Sequence, residues 1–279
     1  MLKARVATAL LLLAGLLAML FLSPFMGWML FAVLVAGIGA WEWGGLLRMG
    51  VSGRRVYALI SAVLCAALGW IVLDISTGAV RQATLLIAIF SLAAVFWLML
   101  VPVWLRAKWP ASARIPGLLA GYVVLIPACL ALMQLRSFAP LFLLAVMASI
   151  WVADISAYAC GRAFGRHKLA PMISPGKTWE GVAGAVAGVL LYGAAVACAA
   201  GRLPASSAGW AVFSLALLVL TAVSILGDLF ESLVKRQAGV KDSGALLPGH
   251  GGALDRIDSL TSTLPLVGLA VLVWDGRPA

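Results

Sequence analysis

Two pairs of carboxylates stand near the carboxyl end of a chain that is otherwise short of acids: Asp228 with Glu231, and Asp255 with Asp258. On a helix the i, i+3 spacing puts both members of each pair on one face. Ser232, Lys235, Arg236, Lys241 and Asp242 lie between the pairs. A glycine-rich turn, Pro248-Gly249-His250-Gly251-Gly252, follows them, and Arg256 comes next. Paired carboxylate oxygens suit a hard cation such as Mg²⁺, whereas Lys and Arg suit phosphate oxygens. Bare backbone at Gly251 and Gly252 lets a ligand approach closely.

A second charged segment runs from Asp154 to Gly181. Asp154 lies inside an apolar run, one helical turn before Tyr158, and Arg162, Arg166, His167 and Lys168 come at the end of that run. Ser174-Pro175-Gly176-Lys177-Thr178 then leads into the next helix, with Glu180 in its first turn. Such a helix start offers backbone N–H groups, hydroxyls and an ammonium to an anion. It is not a Walker A loop, because the Gly-x4-Gly-Lys-Ser/Thr spacing is absent.

Each feature alone has a plainer explanation. One acidic pair could simply meet Lys or Arg at a helix end. His250 alone is a turn residue, and Glu42, in Trp41-Glu42-Trp43, is expected to snorkel or to pair with Arg48. Gly184 and Gly188 suit close helix packing. The combination favours chemistry. Seven acids (Asp154, Glu180, Asp228, Glu231, Asp242, Asp255 and Asp258) gather within about a hundred residues, whereas the first 153 positions hold only Glu42 and Asp74. An ionisable group at the centre of a membrane helix costs roughly 2.5–3.5 kcal/mol, so its default reading is functional.

The elements that must position these groups are membrane helices. Hydrophobic residues make up 64% of the 279 and charged ones 11%, with a mean hydropathy of +1.09; soluble domains carry about 25% charged residues. The expected fold is an all-α polytopic membrane protein, a single integral domain over 1–279. Helices of 1–137 precede catalytic helices of 138–279, whose cytosolic segments are 154–181 and 227–258. Nine apolar stretches approach spanning length: Val6–Leu22, Phe25–Leu47, Val56–Leu73, Ala83–Leu105, Ile115–Leu135, Phe138–Ala159, Val182–Ala200, Ala208–Phe230 and Leu260–Trp274. The first follows Lys3 and Arg5 but no small-x-small cleavage pattern follows it, so a retained helix is expected.

With the N-terminus in the cytosol, sixteen of the twenty cations fall on one side, leaving Arg81, Arg136, Arg202 and Arg277 on the other. The positive-inside rule predicts that split. The net charge of +10 therefore sets orientation and does not point to nucleic acid. Cys65, Cys129, Cys160 and Cys198 sit in or beside apolar runs without a Cys-x-x-Cys pair. They read as small buried hydrophobes. Trp28, Trp104, Trp109 and Trp179, near span ends, suit an interfacial belt.

At the charged segments the chain closely resembles the phosphatidate cytidylyltransferase (CDP-diacylglycerol synthase) family. The family signature is matched in order and spacing by Ser232, Lys235, Arg236, Lys241, Asp242, Gly244, Leu247, Pro248, His250, Gly251, Gly252, Asp255, Arg256 and Asp258. Ala253 is smaller than the aliphatic residue usual there, a change that touches packing. The Asp154–Gly181 segment resembles the family's second motif through Asp154, Tyr158, Gly161, Phe164, Gly165, Ser174, Pro175, Lys177, Thr178 and Glu180.

The resemblance implies that CTP and phosphatidate give CDP-diacylglycerol and pyrophosphate, with Mg²⁺, at the cytosolic face of a bacterial inner membrane. It implies metal ligands among Asp228, Glu231, Asp255 and Asp258. Lys241, Asp242, His250 and Arg256 join Asp228, Asp255 and Asp258 as catalytic candidates. Asp154, Ser174, Lys177, Thr178, Glu180, Ser232, Lys235, Arg236, Gly251 and Gly252 are candidates for holding substrate. The partners are CTP, phosphatidate and the lipid bilayer; nucleic acid is not among them, and a homodimer is left open. Two rival readings are a CTP-dependent lipid-alcohol kinase, with His250 as base, and an ion-coupled transporter using Glu42, Asp154 and Asp228. A purely structural subunit gives no reason for the Ser232–Asp258 cluster.

Overall fold

The structure, a computed structural model, describes residues 2–111, 114–246 and 251–275, with side chains described for 8–111, 115–246 and 251–274. Nine helices run through them, each matching one expected stretch. They are α1 (Leu2–Leu22), α2 (Phe25–Leu46), α3 (Val51–Val72), α4 (Ala83–Ala107), α5 (Arg114–Phe138), α6 (Pro140–Phe164), α7 (Trp179–Ala199), α8 (Ser207–Ala238) and α9 (Leu254–Asp275). The last eight are long and apolar enough to cross a membrane.

Helix α8 is the exception in length. Its 32 residues extend about 48 Å at about 1.5 Å each, well beyond an apolar layer of about 30 Å. It therefore runs past Phe230, where the apolar pattern ends, carrying Asp228, Glu231, Ser232 and Lys235 out on one stripe. Gly239 stops it with a left-handed φ of 76°, the conformation that favours glycine at a helix end.

Helix α9 sits at the centre, packed against α2, α4, α5, α6 and α8. Its buried hydroxyls bond mostly back to its own carbonyls, as Thr261 Oγ1 does to Asp258 (2.6 Å) and Thr263 Oγ1 to Ser259 (2.8 Å). Ser262 Oγ instead reaches across to the Val223 carbonyl of α8, 2.9 Å away. A Cβ at Gly227 would lie 2.8 Å from the Asp258 carbonyl oxygen, so glycine there lets α8 and α9 meet backbone to backbone. The expected glycine step between α6 and α7 is found too: a Cβ at Gly184 would lie 2.8 Å from the Ser156 carbonyl.

The loops divide into two ends as the charges predict. At the basic end, Gln237 Nε2 donates to the Lys108 and Trp109 carbonyls (3.3 and 2.9 Å), its Oε1 accepts from Ala111 N (2.8 Å), and Arg48 Nη2 donates to the Gln237 carbonyl (3.3 Å). Arg236 Nε reaches the Ile173 carbonyl (3.4 Å) of the α6–α7 connection. At the opposite end Arg136 binds the carbonyls of Leu20 and Ser23.

Three local expectations change. The α6–α7 connection holds a short antiparallel hairpin, β1 (Lys168–Ala170) with β2 (Ser174–Thr178), where the sequence showed a helix-start turn. Trp28 and Trp104 are core residues, not belt residues. Trp28 is fully buried with Nε1 on the Leu132 carbonyl, and Trp104 packs edge-on against Phe230. Trp109 and Trp179 are exposed and fit the belt. Cys65 and Cys129 are buried as expected, whereas Cys160 is half-buried and Cys198 exposed at the end of α7; all four are free.

Candidate active site

The two charged segments close on one cavity of about 450 Å³. One wall is α6, with Asp154, Tyr158, Gly161 and Arg162; another is the hairpin, with Ser174, Gly176, Lys177 and Thr178. Gly181 of α7 and Ser224 and Asp228 of α8 complete it. Thr178 shapes the hairpin-to-helix corner: its side chain caps α7 by accepting from Gly181 N at 3.1 Å, satisfying one orphan amide of the first turn. Glycine at 161, 165 and 181 lets this corner lie flat on α6; a Cβ at Gly181 would come 3.0 Å from the Ala157 carbonyl. An ion pair across the cavity, Lys177 Nζ to Asp228 Oδ2 at 2.5 Å, ties the hairpin to α8.

Beneath Asp228 the carboxylates crowd together. Glu231 is buried, its Oε1 is 3.3 Å from Lys235 Nζ, and neither oxygen accepts a hydrogen bond. The carboxyl of Asp258 approaches it from α9, and Asp258 Oδ1 accepts only from the neighbouring Ser259 N, at 2.7 Å. Asp154 receives no hydrogen bond from any described residue. Adjacent buried carboxylates need a shared proton or a cation between them. The donor-poor oxygens of Glu231 and Asp258, one helical turn from Asp228, therefore fit a hard divalent ion. Among the described residues no three acidic, histidine or cysteine side chains already converge on one point.

Asp255 has a different environment. Its Oδ1 takes Lys235 Nζ at 2.6 Å; its Oδ2 takes Ser243 N (2.9 Å), Ser243 Oγ (3.0 Å) and Gly252 N (2.8 Å). Three N–H donors, and a hydroxyl proton for which Asp255 competes with Glu42, fill most of the roughly four lone-pair sites of a carboxylate. Glu42 lies behind this group, reaching in from α2. It is 2% exposed and accepts from Ser243 Oγ (2.9 Å), Ala253 N (3.0 Å) and Leu254 N (2.8 Å). A carboxylate on the first amides of α9 meets the positive end of the helix dipole. Glu42 thus neither snorkels nor pairs with Arg48, whose guanidinium binds the Gln237 carbonyl. Ser243 carries no signal in the sequence, and the place of Glu42 behind Asp255 differs from the one its neighbours suggest. The available signal was a lone acid deep in an apolar helix between two tryptophans.

Comparison with known proteins gives the family. A profile of the cytidylyltransferase family matches residues 3–274. A phosphatidate cytidylyltransferase of Pseudomonas aeruginosa is 41% identical over 98% of this chain and 97% of its own length. One from Haemophilus influenzae is 35% identical over 95% of this chain and 96% of its own, and one from Brucella abortus is 46% identical over 62% and 60%. The chain belongs to the cytidylyltransferase family.

Not every candidate of this cytidylyltransferase faces the cavity. Glu180 turns away and holds His167, accepting from its amide (3.2 Å) and meeting its Nδ1 at 2.7 Å. Arg236, Lys241, Asp242 and Arg256 are exposed at the basic end. Lys235 is buried between Glu231 and Asp255, and Ser232 Oγ donates to Asp228 Oδ1 at 3.2 Å. Gly251 has a left-handed φ of 79°, and a Cβ at Gly252 would come 2.5 Å from Glu42 Oε2; Gly252 is small because of Glu42. His250 lies outside the described residues.

Proposed function

We propose that this enzyme transfers the cytidylyl group of CTP to phosphatidate, releasing pyrophosphate, at the cytosolic face of a bacterial inner membrane. The observation that carries the reading is the cavity itself. Its walls carry Asp154 of α6 and Asp228 of α8 beside a cationic hairpin, with the donor-poor Glu231 one helical turn beyond Asp228, in a member of the cytidylyltransferase family, at the end where the basic loops gather. The two relatives that match nearly the whole chain bear the phosphatidate name. Lipid phosphate and soluble nucleotide can meet there without either leaving its own phase.

In this reading an oxygen of the lipid phosphate attacks the α-phosphorus of CTP in line. A P–O bond forms, the bond to the β-phosphate breaks, and pyrophosphate leaves with the electron pair. The attacking phosphate monoester is largely doubly ionised near neutrality, its second pKa being about 6, so no strong base is required. The protein's work is to position and neutralise, as in phosphoryl transfer generally. Lys177, Ser174 and the capped start of α7 offer the anion ammonium, hydroxyl and amide donors. Lys241, Arg236 and Arg256 offer charge to the triphosphate from the cytosolic side, and His250 donates to a phosphate oxygen. Asp228, Glu231 and Asp258 would hold Mg²⁺, which when bound would neutralise negative charge on the triphosphate oxygens. Asp255, with its acceptor sites engaged, holds Lys235, Ser243 and Gly252 in place; metal at Asp255 requires one of those donors to move.

The experiment is a turnover assay on detergent-purified protein with cytidine-labelled CTP, phosphatidate and Mg²⁺. Lipid-extractable cytidine appearing one-for-one with pyrophosphate supports the proposal. Release of CDP with a newly phosphorylated lipid would identify the kinase instead.

A further inference from the structure

The lipid phosphate needs a cation that the carboxylates have not already claimed, and three cations of the site differ in this respect. Lys177 is committed to Asp228 at 2.5 Å, and Lys235 is held between Glu231 (3.3 Å) and Asp255 (2.6 Å). Arg162 lines the same cavity, in the last turn of α6, yet forms no ion pair with any described carboxylate. Its Nη1 donates instead to the Tyr158 hydroxyl at 3.0 Å. Asp154, Tyr158 and Arg162 fall at i, i+4 and i+8, so they form one stripe up α6, from helix interior to helix end. The flank beside that stripe is open and apolar: Ile155 is 68% exposed, Tyr158 67% and Phe164 68%. In a span of this length such a flank faces acyl chains.

We propose that Arg162 and Tyr158 form the subsite for the phosphate monoester of the lipid. The guanidinium takes two phosphate oxygens as a fork, and the tyrosine hydroxyl, already bonded to the guanidinium, fixes its direction. The acyl chains lie along Ile155 and Phe164. This places the negative lipid phosphate between Arg162 and Lys177, facing the cavity in which the nucleotide reacts. The proposal rests on the reading that a lipid phosphate is the acceptor. A purely structural role for Arg162 also exists, since a cation in a last turn complements the helix dipole.

Steady-state kinetics of the full-length enzyme separate the two, with both substrates varied, together with calorimetric binding of short-chain phosphatidate in the absence of CTP and Mg²⁺. Arg162→Gln is expected to raise the phosphatidate KM and Kd roughly 10- to 100-fold, the loss of one charge-assisted partner, and to leave the KM for CTP unchanged. Arg162→Lys falls between, because an ammonium keeps the charge but not the fork. Tyr158→Phe loses only a few-fold. Should Arg162→Gln fail to fold, Arg162→Lys and Tyr158→Phe carry the same comparison. A rise in the KM for CTP instead, or phosphatidate constants unchanged in all three variants, overturns the subsite. Arg162-dependent phosphatidate binding without any lipid-linked cytidine product would overturn the proposed reaction and leave the subsite standing. Wild-type protein that neither binds nor converts phosphatidate would overturn both.

Discussion

Two groups of buried carboxylates sit about one helical turn apart along α9, and their hydrogen bonding is opposite. Six donor protons serve Glu42 and Asp255, the single Ser243 hydroxyl proton lying within reach of both. The two carboxylates join α2, Ser243, Gly252 and the start of α9 into one unit. Glu231, from α8, has one ammonium 3.3 Å away, and Asp258, from α9, has one backbone donor. Residue type does not distinguish the groups; the supply of donors does. A saturated carboxylate holds structure together. A donor-poor pair keeps its oxygens for something else, at a cost in stability that the surrounding fold carries.

That contrast is tested most strongly by neutralising each group in turn. Glu231→Gln or Asp258→Asn should lower kcat about 10²–10³-fold, the scale for losing one group aimed at developing charge. The same changes should leave the melting temperature unchanged or raise it, because one of two adjacent buried charges disappears. Glu42→Ala should do the reverse. Two amides lose their acceptor at about 1 kcal/mol or more each, while the Ser243 hydroxyl turns to Asp255, so unfolding should become easier by about 2 kcal/mol. Thermal melts in detergent, set beside specific activity of the folded fraction, check both. Thr178→Ala, which removes the cap of α7, should cost about 1 kcal/mol and loosen the hairpin, read as a lower melting temperature.

The smallest effect belongs to Asp74, at the opposite end of the molecule. Hydrogen bonds from the Ser76 hydroxyl, the Thr77 amide and Arg81 hold its carboxyl well below the usual carboxylate range. A depressed folded pKa stabilises above the unfolded value of about 3.9 and is lost as pH falls through the folded one. Asp74→Asn should therefore flatten the acid limb of a stability–pH profile and change little at neutral pH.

Much of this arrangement is legible in the residues. Apolar runs located all nine helices, and the cations sorted the loops into the two ends that the side-chain contacts of Arg48, Arg236, Gln237 and Arg136 now link. The i, i+3 acids also read correctly as helix faces, and the meeting of the two charged segments is seen in the Lys177–Asp228 pair. What a local pattern could not give is partner choice across the fold. Glu42 is more than two hundred positions from the amides it caps, and no periodicity reports that. Nor could spacing tell that Asp255 is saturated while Asp258 is not, since both belong to the same i, i+3 pair. The burial of Trp28 and Trp104 likewise depends on which neighbours cover them.

The central claim is that the donor-poor carboxylates hold a divalent cation, and Mn²⁺ electron paramagnetic resonance with CTP present tests it without turnover. Wild-type protein should bind Mn²⁺, and Asp258→Asn and Glu231→Gln should weaken that binding at least about tenfold, or about 1.4 kcal/mol. Mn²⁺ affinity unchanged in both variants would contradict the account.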